Sequence, residues 1–184
     1  DGFLRGAPWF GGRRRGGAVL SLQATLNPDF SQVEADAAQL DVNTRFALFF
    51  PEKRPFFVEG ADVFETRLPL VFTRTIAEPE AGVKLTGKAG KNLYGALFAR
   101  DAITNLLIPG DQSSTVTSID RESWSSSARY RRELGASATL GGLVTARSGE
   151  DYENLVAATD GYYRITESDS LRMQVSGSRT RYPV

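Results

Sequence analysis

AGVKLTGKA, residues 81–89, is the stretch on which the fold turns. Ala81, Val83, Leu85, Gly87 and Ala89 fall on one side of an extended chain, and Lys84, Thr86 and Lys88 on the other. A sustained period of two marks a β-strand with one apolar and one polar face. The same pattern recurs upstream. Leu20, Leu22, Ala24 and Leu26 oppose Ser21, Gln23, Thr25 and Asn27, until Pro28, which has no N–H to donate, ends the run. Downstream, Trp124, Ala128 and Tyr130 oppose Ser125, Ser127, Arg129 and Arg131. Leu140, Gly142 and Val144 oppose Thr139, Gly141 and Thr145; Leu155, Ala157 and Tyr163 alternate with Asn154, Asp160 and Arg164. The last run sets Leu171, Met173 and Val175 against Arg172, Gln174 and Ser176. Leu93 to Arg100 reads as a strand of less tidy pattern, and Leu70 to Ile76 as a shorter strand.

These strands run to about 9–11 residues, the length that crosses a bilayer at a tilt. Their connections alternate. They are short at 90–92, 133–135 and 166–170, long at 101–121 with Pro109-Gly110 at the tip, and intermediate at 147–152. Outer-membrane barrels pair short periplasmic turns with longer outside loops in this way. The expected fold is all-β: an antiparallel up-and-down transmembrane β-barrel segment of about eight strands, part of a larger barrel. The competing architecture is a soluble β-sandwich, because the alternation does not say which face points inward. The chain starts at Asp1 with no initiator Met and no charged-then-apolar leader, and stops behind a strand-like run. Residues 1–184 are therefore read as an excerpt, a partial outer-membrane barrel domain.

Composition narrows the chemistry. Acidic and basic residues balance at 22 each, so no long-range field favours nucleic acid, and Arg13-Arg14-Arg15 reads as a solvated cluster in a Gly-rich loop. With no Cys and no His, disulfides, Cys/His zinc sites, Ser-His-Asp triads and Cys-His nucleophiles are excluded within this chain. No metal or cofactor is called for. Apolar runs fall far short of the roughly 20 residues of a spanning helix. Only a closed sheet could then satisfy every backbone group in lipid.

One stretch breaks the alternation. Residues 27–64, NPDFSQVEADAAQLDVNTRFALFFPEKRPFFVEGADVF, are dense in acids, bases and aromatics and hold neither period. They define a polar, plug-like insert at 28–67, expected in the lumen or at the periplasmic mouth. With Leu70 to Ile76 counted as a strand, strands 17–27 and 81–89 both run inward, and the insert hangs from the periplasmic end. Asp29, Glu34, Asp36, Arg45, Glu52, Lys53, Arg54 and Glu59 are its ligand-binding or plug charges. Two readings stand. The carboxylates could bind a cation or sugar hydroxyls, or perform acid/base work on a glycoside, with Glu34, Asp36, Glu52 and Glu59 the catalytic candidates. Alternatively, acids and bases in similar number neutralise one another and the lumen wall, as buried charges require. The EF-hand order of acids is missing. Asp36 to Gln39 could start a short helix. Phe46, Phe49, Phe50, Phe56, Phe57 and Phe64 are expected to pack the insert against the sheet, or to stack on sugar rings. Pro51 and Pro55 stiffen the Glu52-Lys53-Arg54 run between them, and Gly60 allows a sharp turn.

On NPDFSQVEAD (27–36), FFPEKRPFFVEG (49–60), LVFTRTI (70–76) and AGVKLTGKAG (81–90), the chain resembles a family of bacterial outer-membrane barrels of undefined function. AATDGYYRI (157–165) and VSGSRTRYP (175–183) are similar to barrel strands of that family. In the family a periplasmic carbohydrate-binding module of the type numbered nine precedes the barrel. The resemblance implies such a module, further strands after Val184, and a location in the bacterial outer membrane. Some members carry the label membrane-associated hydrolase, with no residue assignment to transfer.

The leading expectation is a barrel segment that binds or passes a ligand, glycan-related if the companion module is a guide. Lys84, Lys88, Arg129, Arg131 and Arg172 would line the lumen, with the insert as plug. The partners would be outer-membrane lipid and a glycan or other small ligand, not nucleic acid. A hydrolase using the insert's carboxylates and a structural or surface-interaction barrel are the alternatives; enzymatic activity is not the leading expectation.

Overall fold

A computed structural model describes residues 9–15, 18–28, 52–108, 115–119 and 121–182. The strands are β1 (Trp9–Arg15), β2 (Ala18–Leu26), β3 (Pro79–Ala89), β4 (Asn92–Asp101), β5 (Thr104–Ile108), β6 (Thr115–Ile119), β7 (Ser123–Glu133), β8 (Ala138–Gly149), β9 (Glu153–Arg164) and β10 (Ser170–Arg181). Between β2 and β3 lie a one-turn helix, α1 (Pro55–Val58), and two 3-10 turns, Ala61–Phe64 and Thr73–Thr75. Among the described residues no helix is long and apolar enough to cross a membrane, which says nothing about crossing by strands.

One eight-stranded sheet has the order β1-β2-β3-β4-β7-β8-β9-β10, with every neighbouring pair antiparallel. It is an up-and-down meander in which β5 and β6 form a separate hairpin on the β4–β7 connection. Among the described residues β1 and β10 are its edges, and the sheet is not closed into a barrel.

Four expectations need correction. Leu70 to Ile76 is not a strand; it is irregular around the 3-10 turn. Its carbonyls bond to side chains instead of a ladder: those of Thr73 and Ile76 accept from Arg54, and that of Thr75 from Arg147. Arg13-Arg14-Arg15 is not loop but the end of β1, in register with Leu20, Val19 and Ala18. The connection at 101–121 contains the β5–β6 hairpin. Finally, because β2 pairs directly with β3, the two run in opposite directions. The insert therefore leaves the sheet at the end that bears the β4–β7 and β8–β9 connections, opposite the short turns at 90–91, 134–137 and 165–169.

The sheet is inverted relative to a soluble one. Its apolar face is bare: Leu22, Val83, Phe98, Val144, Leu155 and Met173 are all exposed, and Val175 is 73 % exposed. Its polar face is covered: Gln23, Thr25, Lys84, Thr86 and Arg129 are buried, beneath or beside residues 52–78. The register places all five cations expected in the lumen, Lys84, Lys88, Arg129, Arg131 and Arg172, on this polar face, with Lys88 and Arg172 at margins that the insert leaves open.

The core lies between insert and sheet. Phe56, Phe57, Val63, Phe64 and Ile76 pack on Leu97 and Ala99 of β4 and Leu143 of β8. This explains the untidy pattern of β4. Its inward side carries Leu97 and Ala99 because the insert docks there, while Tyr94 and Phe98 face outward. Two sheet glycines make the seat. A Cβ at Gly82 would stand 2.8 Å from the Phe56 ring, and one at Gly95 2.7 Å from Val63.

Candidate functional site

The site is the covered polar face and the insert segment that lies on it. At its centre, Arg54 is 1 % exposed. Pro55 at the first helical position presets the turn that starts α1. Arg54 thus stands at the N-cap, where it can project into the sheet. Its guanidinium makes a two-pronged contact with Glu52, Nε to Oε1 at 2.8 Å and Nη2 to Oε2 at 2.8 Å. It also donates to the carbonyls of Ile76 at 2.5 Å and Thr73 at 2.9 Å, and lies 4.4 Å from the Phe57 ring centroid. The planar fork suits this multiple engagement as a lysine would not. Arg54 therefore clasps the start of the described insert to its end.

Glu52 completes the clasp. Its carboxylate accepts from the backbone N–H groups of Lys53 and Arg54, both at 3.1 Å, and from the Thr73 hydroxyl at 2.7 Å. Burial works against the charge, but hydrogen bonds from Arg54 and Thr73 and the Arg54 charge outweigh it and hold the pKa at about 2. A carboxylate depressed in the folded state stabilises above its ordinary value of 4.5 and ceases to as pH falls toward 2. Because Glu52 is only partly shielded from water, the contribution is about 1–2 kcal/mol rather than the full shift. Pepsin cleavage within 52–76 should accordingly increase from pH 4.5 down to 2, beyond what Glu52→Gln shows over the same range. A wild-type profile parallel to that of Glu52→Gln would rule out this role.

The sheet holds the insert at further points. Lys84 of β3 reaches up to donate to the carbonyls of Phe56 and Glu59, with its ammonium 5.1 Å from the Phe56 centroid. Gln23 of β2 donates to the Glu59 carboxylate. Gly60 turns the chain with φ 67°, and a Cβ there would stand 2.9 Å from the Thr86 hydroxyl, so glycine suits both the turn and the close approach. At the exit, Asp101 is wholly buried and accepts from the N–H groups of Ala77 at 2.9 Å and Glu78 at 2.7 Å. Arg147 lies 3.7 Å from Asp101 and donates to the Thr75 carbonyl at 3.0 Å.

The insert also reaches the far edge. Arg67 donates to the Arg172 carbonyl at 3.0 Å, and the Leu68 N–H to the Gln174 side chain at 2.8 Å. Phe64, beside Gly95 of β4, lies only four residues earlier. That backbone spans at most about 14 Å, whereas four strand spacings from β4 to β10 cover roughly 19 Å in a flat sheet. Curling of the sheet into a trough, with the length of the side chains, closes the difference.

The sequence-derived charges divide accordingly. Glu52 and Arg54 are paired with each other, Glu59 meets Gln23, and Lys53 is exposed. Asp29, Glu34, Asp36 and Arg45, with Phe46, Phe49, Phe50 and the helix start at Asp36, lie outside the described residues. Among the cations, Lys84 anchors the insert, while Arg129 pairs in two-pronged fashion with Asp160, its Nη2 at 2.8 Å, lying over Gly141. Lys88 pairs with Glu133 at 2.6 Å near the short-turn end. Arg131 is half-buried there; Arg172 is exposed, 5.5 Å from the Tyr162 centroid. Asp101, Arg147 and Gln174 were not singled out as site residues. The signal was present for Asp101 and Arg147, as charges near the ends of long strands, but nothing local tied either to residues 75–78.

Among the described residues, two cavities between insert and sheet stand out. One of about 330 Å³ is bordered by Glu52, Phe57, Phe64, Arg74, Lys84 and Leu97. Another of about 180 Å³ lies between residues 70–76 and strands β7–β9.

Residues 18–92 match the model of a family described as a domain of unknown function, DUF5916. No curated protein and no solved structure matches the chain. The chain is thus similar, over β2, the insert, β3 and the start of β4, to a family with no assigned activity.

Proposed function

We propose that this chain is a segment of a bacterial outer-membrane β-barrel that binds or passes a small ligand, glycan-related on the resemblance above, through a bore narrowed by the insert. The observation that carries the reading is the inverted sheet. Monomeric soluble proteins rarely leave more than a few hundred Å² of contiguous apolar surface bare. Here one face of six long strands is predominantly apolar, with charged residues such as Arg100, Arg132 and Arg179 toward its ends, while the insert covers much of the polar face. A membrane barrel needs this arrangement, with lipid outside and water in the bore.

Two further features support it. Strands of 10–12 residues rise about 34–41 Å; at a tilt near 45° this gives roughly 24–29 Å of height, close to the apolar band of such barrels. On the bare face, aromatics pair at two levels: Tyr94 with Tyr130, ring centroids 5.5 Å apart, and Phe98 with Trp124, 5.2 Å apart. Aromatic rings standing on the outer face in this way suit contact with lipid and headgroups, where barrels are enriched in them. With short turns on the periplasmic side, the insert folds in from the outer mouth. The clasp of Glu52 and Arg54, with Lys84 beneath, keeps it against the wall. Among the insert's carboxylates, Glu52 is held ionised by Arg54, which suits a fixed ion pair and excludes it as a general acid near neutral pH.

The test is accessibility to lipid. In reconstituted vesicles, Trp124 fluorescence should be quenched by brominated acyl chains, and spin labels at Leu85, Leu140 and Val175 should respond to a lipid-soluble relaxant over a water-soluble one. Labels shielded from the lipid-soluble agent would replace the barrel with a soluble sheet whose partner covers the apolar face.

A further inference from the structure

The cavity of about 180 Å³ under residues 70–76 differs from the rest of the covered face. Elsewhere on that face long side chains, Lys84 and Arg129 among them, are buried beneath or beside the insert, and the larger cavity is bordered by the charged Glu52, Arg74 and Lys84. Here the inward positions of β7 and β8 carry only Ser125, Ser127 and Thr145 before Arg147, with Asn154 following on β9. Small hydroxyl side chains leave the room and give it a polar side, which faces Leu70, Val71 and Ile76 of the insert and is flanked by Leu97 and Val156 of the sheet.

The lining has a definite chemistry. The Ser125 hydroxyl is buried and meets no hydrogen-bond partner of the protein among the described residues. Buried hydroxyls are rarely left so, and each such case calls for a polar occupant. Asn154 commits its amide N–H to the Thr180 hydroxyl at 2.8 Å, which leaves its carbonyl oxygen as an acceptor. The guanidinium of Arg147 stands 3.7 Å from the buried Asp101, so the positive charge is matched and the cavity presents little net field. Phe72 and Tyr152 also border the cavity, and Tyr152 lies 6.1 Å from the Tyr182 ring centroid. Flat apolar faces beside clustered hydroxyl and amide groups match a ligand with C–H faces and a rim of hydroxyls. A volume of this order holds about six waters or one small ring.

We propose that this cavity is a binding site for a neutral polyhydroxylated ligand one sugar ring in size. Ser125, Ser127 and Thr145 exchange hydrogen bonds with its hydroxyls, Asn154 accepts from one, and Arg147 donates to another. An anion is disfavoured because Asp101 already balances Arg147. The site deepens the reading of a ligand-handling bore, and its chemistry stands separately from membrane insertion.

The experiment is calorimetric titration of the full chain in detergent micelles with glucose, galactose, N-acetylglucosamine and inositol, and with glucose 6-phosphate and sulfate as charged controls. At least one neutral compound should bind saturably in the millimolar range or tighter. Ser127→Ala with Thr145→Val, which removes two hydroxyls at nearly constant volume, should weaken it at least tenfold. Unchanged strand content by circular dichroism serves as the folding control, and the milder Ser125→Ala should weaken binding several-fold. No saturable binding of any neutral compound, binding indifferent to these variants, or preference for the phosphorylated sugar or sulfate would each overturn the proposal. Lipid quenching of Trp124 in the same preparation keeps the two questions apart. Quenching without sugar binding removes only this site, and binding without quenching removes only the barrel.

Discussion

Replacing Arg54 by methionine is expected to release residues 52–76 from the sheet at a cost of about 3–5 kcal/mol, the penalty for breaking a buried, hydrogen-bonded charge pair. Methionine keeps most of the length and the contact with Phe57, but leaves the Glu52 carboxylate without its main partner. It also takes the Arg54 donor from the Ile76 carbonyl, and from the Thr73 carbonyl, which keeps only the Ile76 N–H. The sheet itself is held by backbone ladders and should persist. Protease should then nick the 52–76 segment while strand content is retained, and, if the chain lines a bore as proposed, ion conductance in planar bilayers should rise. Adding Glu52→Gln should recover part of the loss, because removing both charges is less harmful than stranding one. An Arg54→Met protein as resistant and as closed as its parent would mean that Phe56, Phe57 and Phe64 hold the insert alone.

Val144→Arg is the second large effect. Val144 lies on the bare face, in the row that runs through Leu22, Leu85, Ala96, Ala128 and Ala157. If that row faces the middle of a bilayer, an arginine there costs about 2–4 kcal/mol. Nearer the interface the same change costs about 0–1 kcal/mol. Ser148→Arg, on the same face beside Trp124, is therefore the matched control. Urea unfolding in lipid vesicles should separate the two variants by at least 1 kcal/mol, by the same depth scale. Equal and small losses, within about 0.5 kcal/mol as for ordinary surface positions, would place water against this face.

Much of the architecture was legible from alternation. Strands β3, β7, β8, β9 and β10 were readable because a sheet with chemically different sides must sort its residues two by two. The five cations expected in the lumen, Lys84, Lys88, Arg129, Arg131 and Arg172, share a face for the same reason. Reading failed where a side chain supplied what a strand neighbour normally does. LVFTRTI at 70–76 is rich in strand formers, yet Arg54 and Arg147 bond the carbonyls of Thr73, Thr75 and Ile76, and no ladder forms. The mistaken strand carried a second error, because one strand too many reversed the direction of β2 and moved the insert to the wrong end of the sheet. β1 was missed because glycines and consecutive arginines carry little strand signal, and only pairing with β2 orders them.

In the site, the charged triplet 52–54 stood out locally, since prolines bracket it and its charges are opposite. The partners of that triplet did not, because Thr73 and Ile76 lie about twenty positions on and contribute backbone or a plain hydroxyl. Gln174 and Arg172 of β10 meet the insert more than a hundred residues away in sequence.

From its residues alone this chain is committed to β-structure with one apolar and one polar face, since the pleat sends alternate side chains to opposite sides whatever they touch. Which face is covered, from which end the insert enters, and where it leaves the hydroxyl-lined cavity are settled only in three dimensions. Those features depend on contacts between segments remote in sequence, and a periodic pattern carries no information about which remote segment will close over which face.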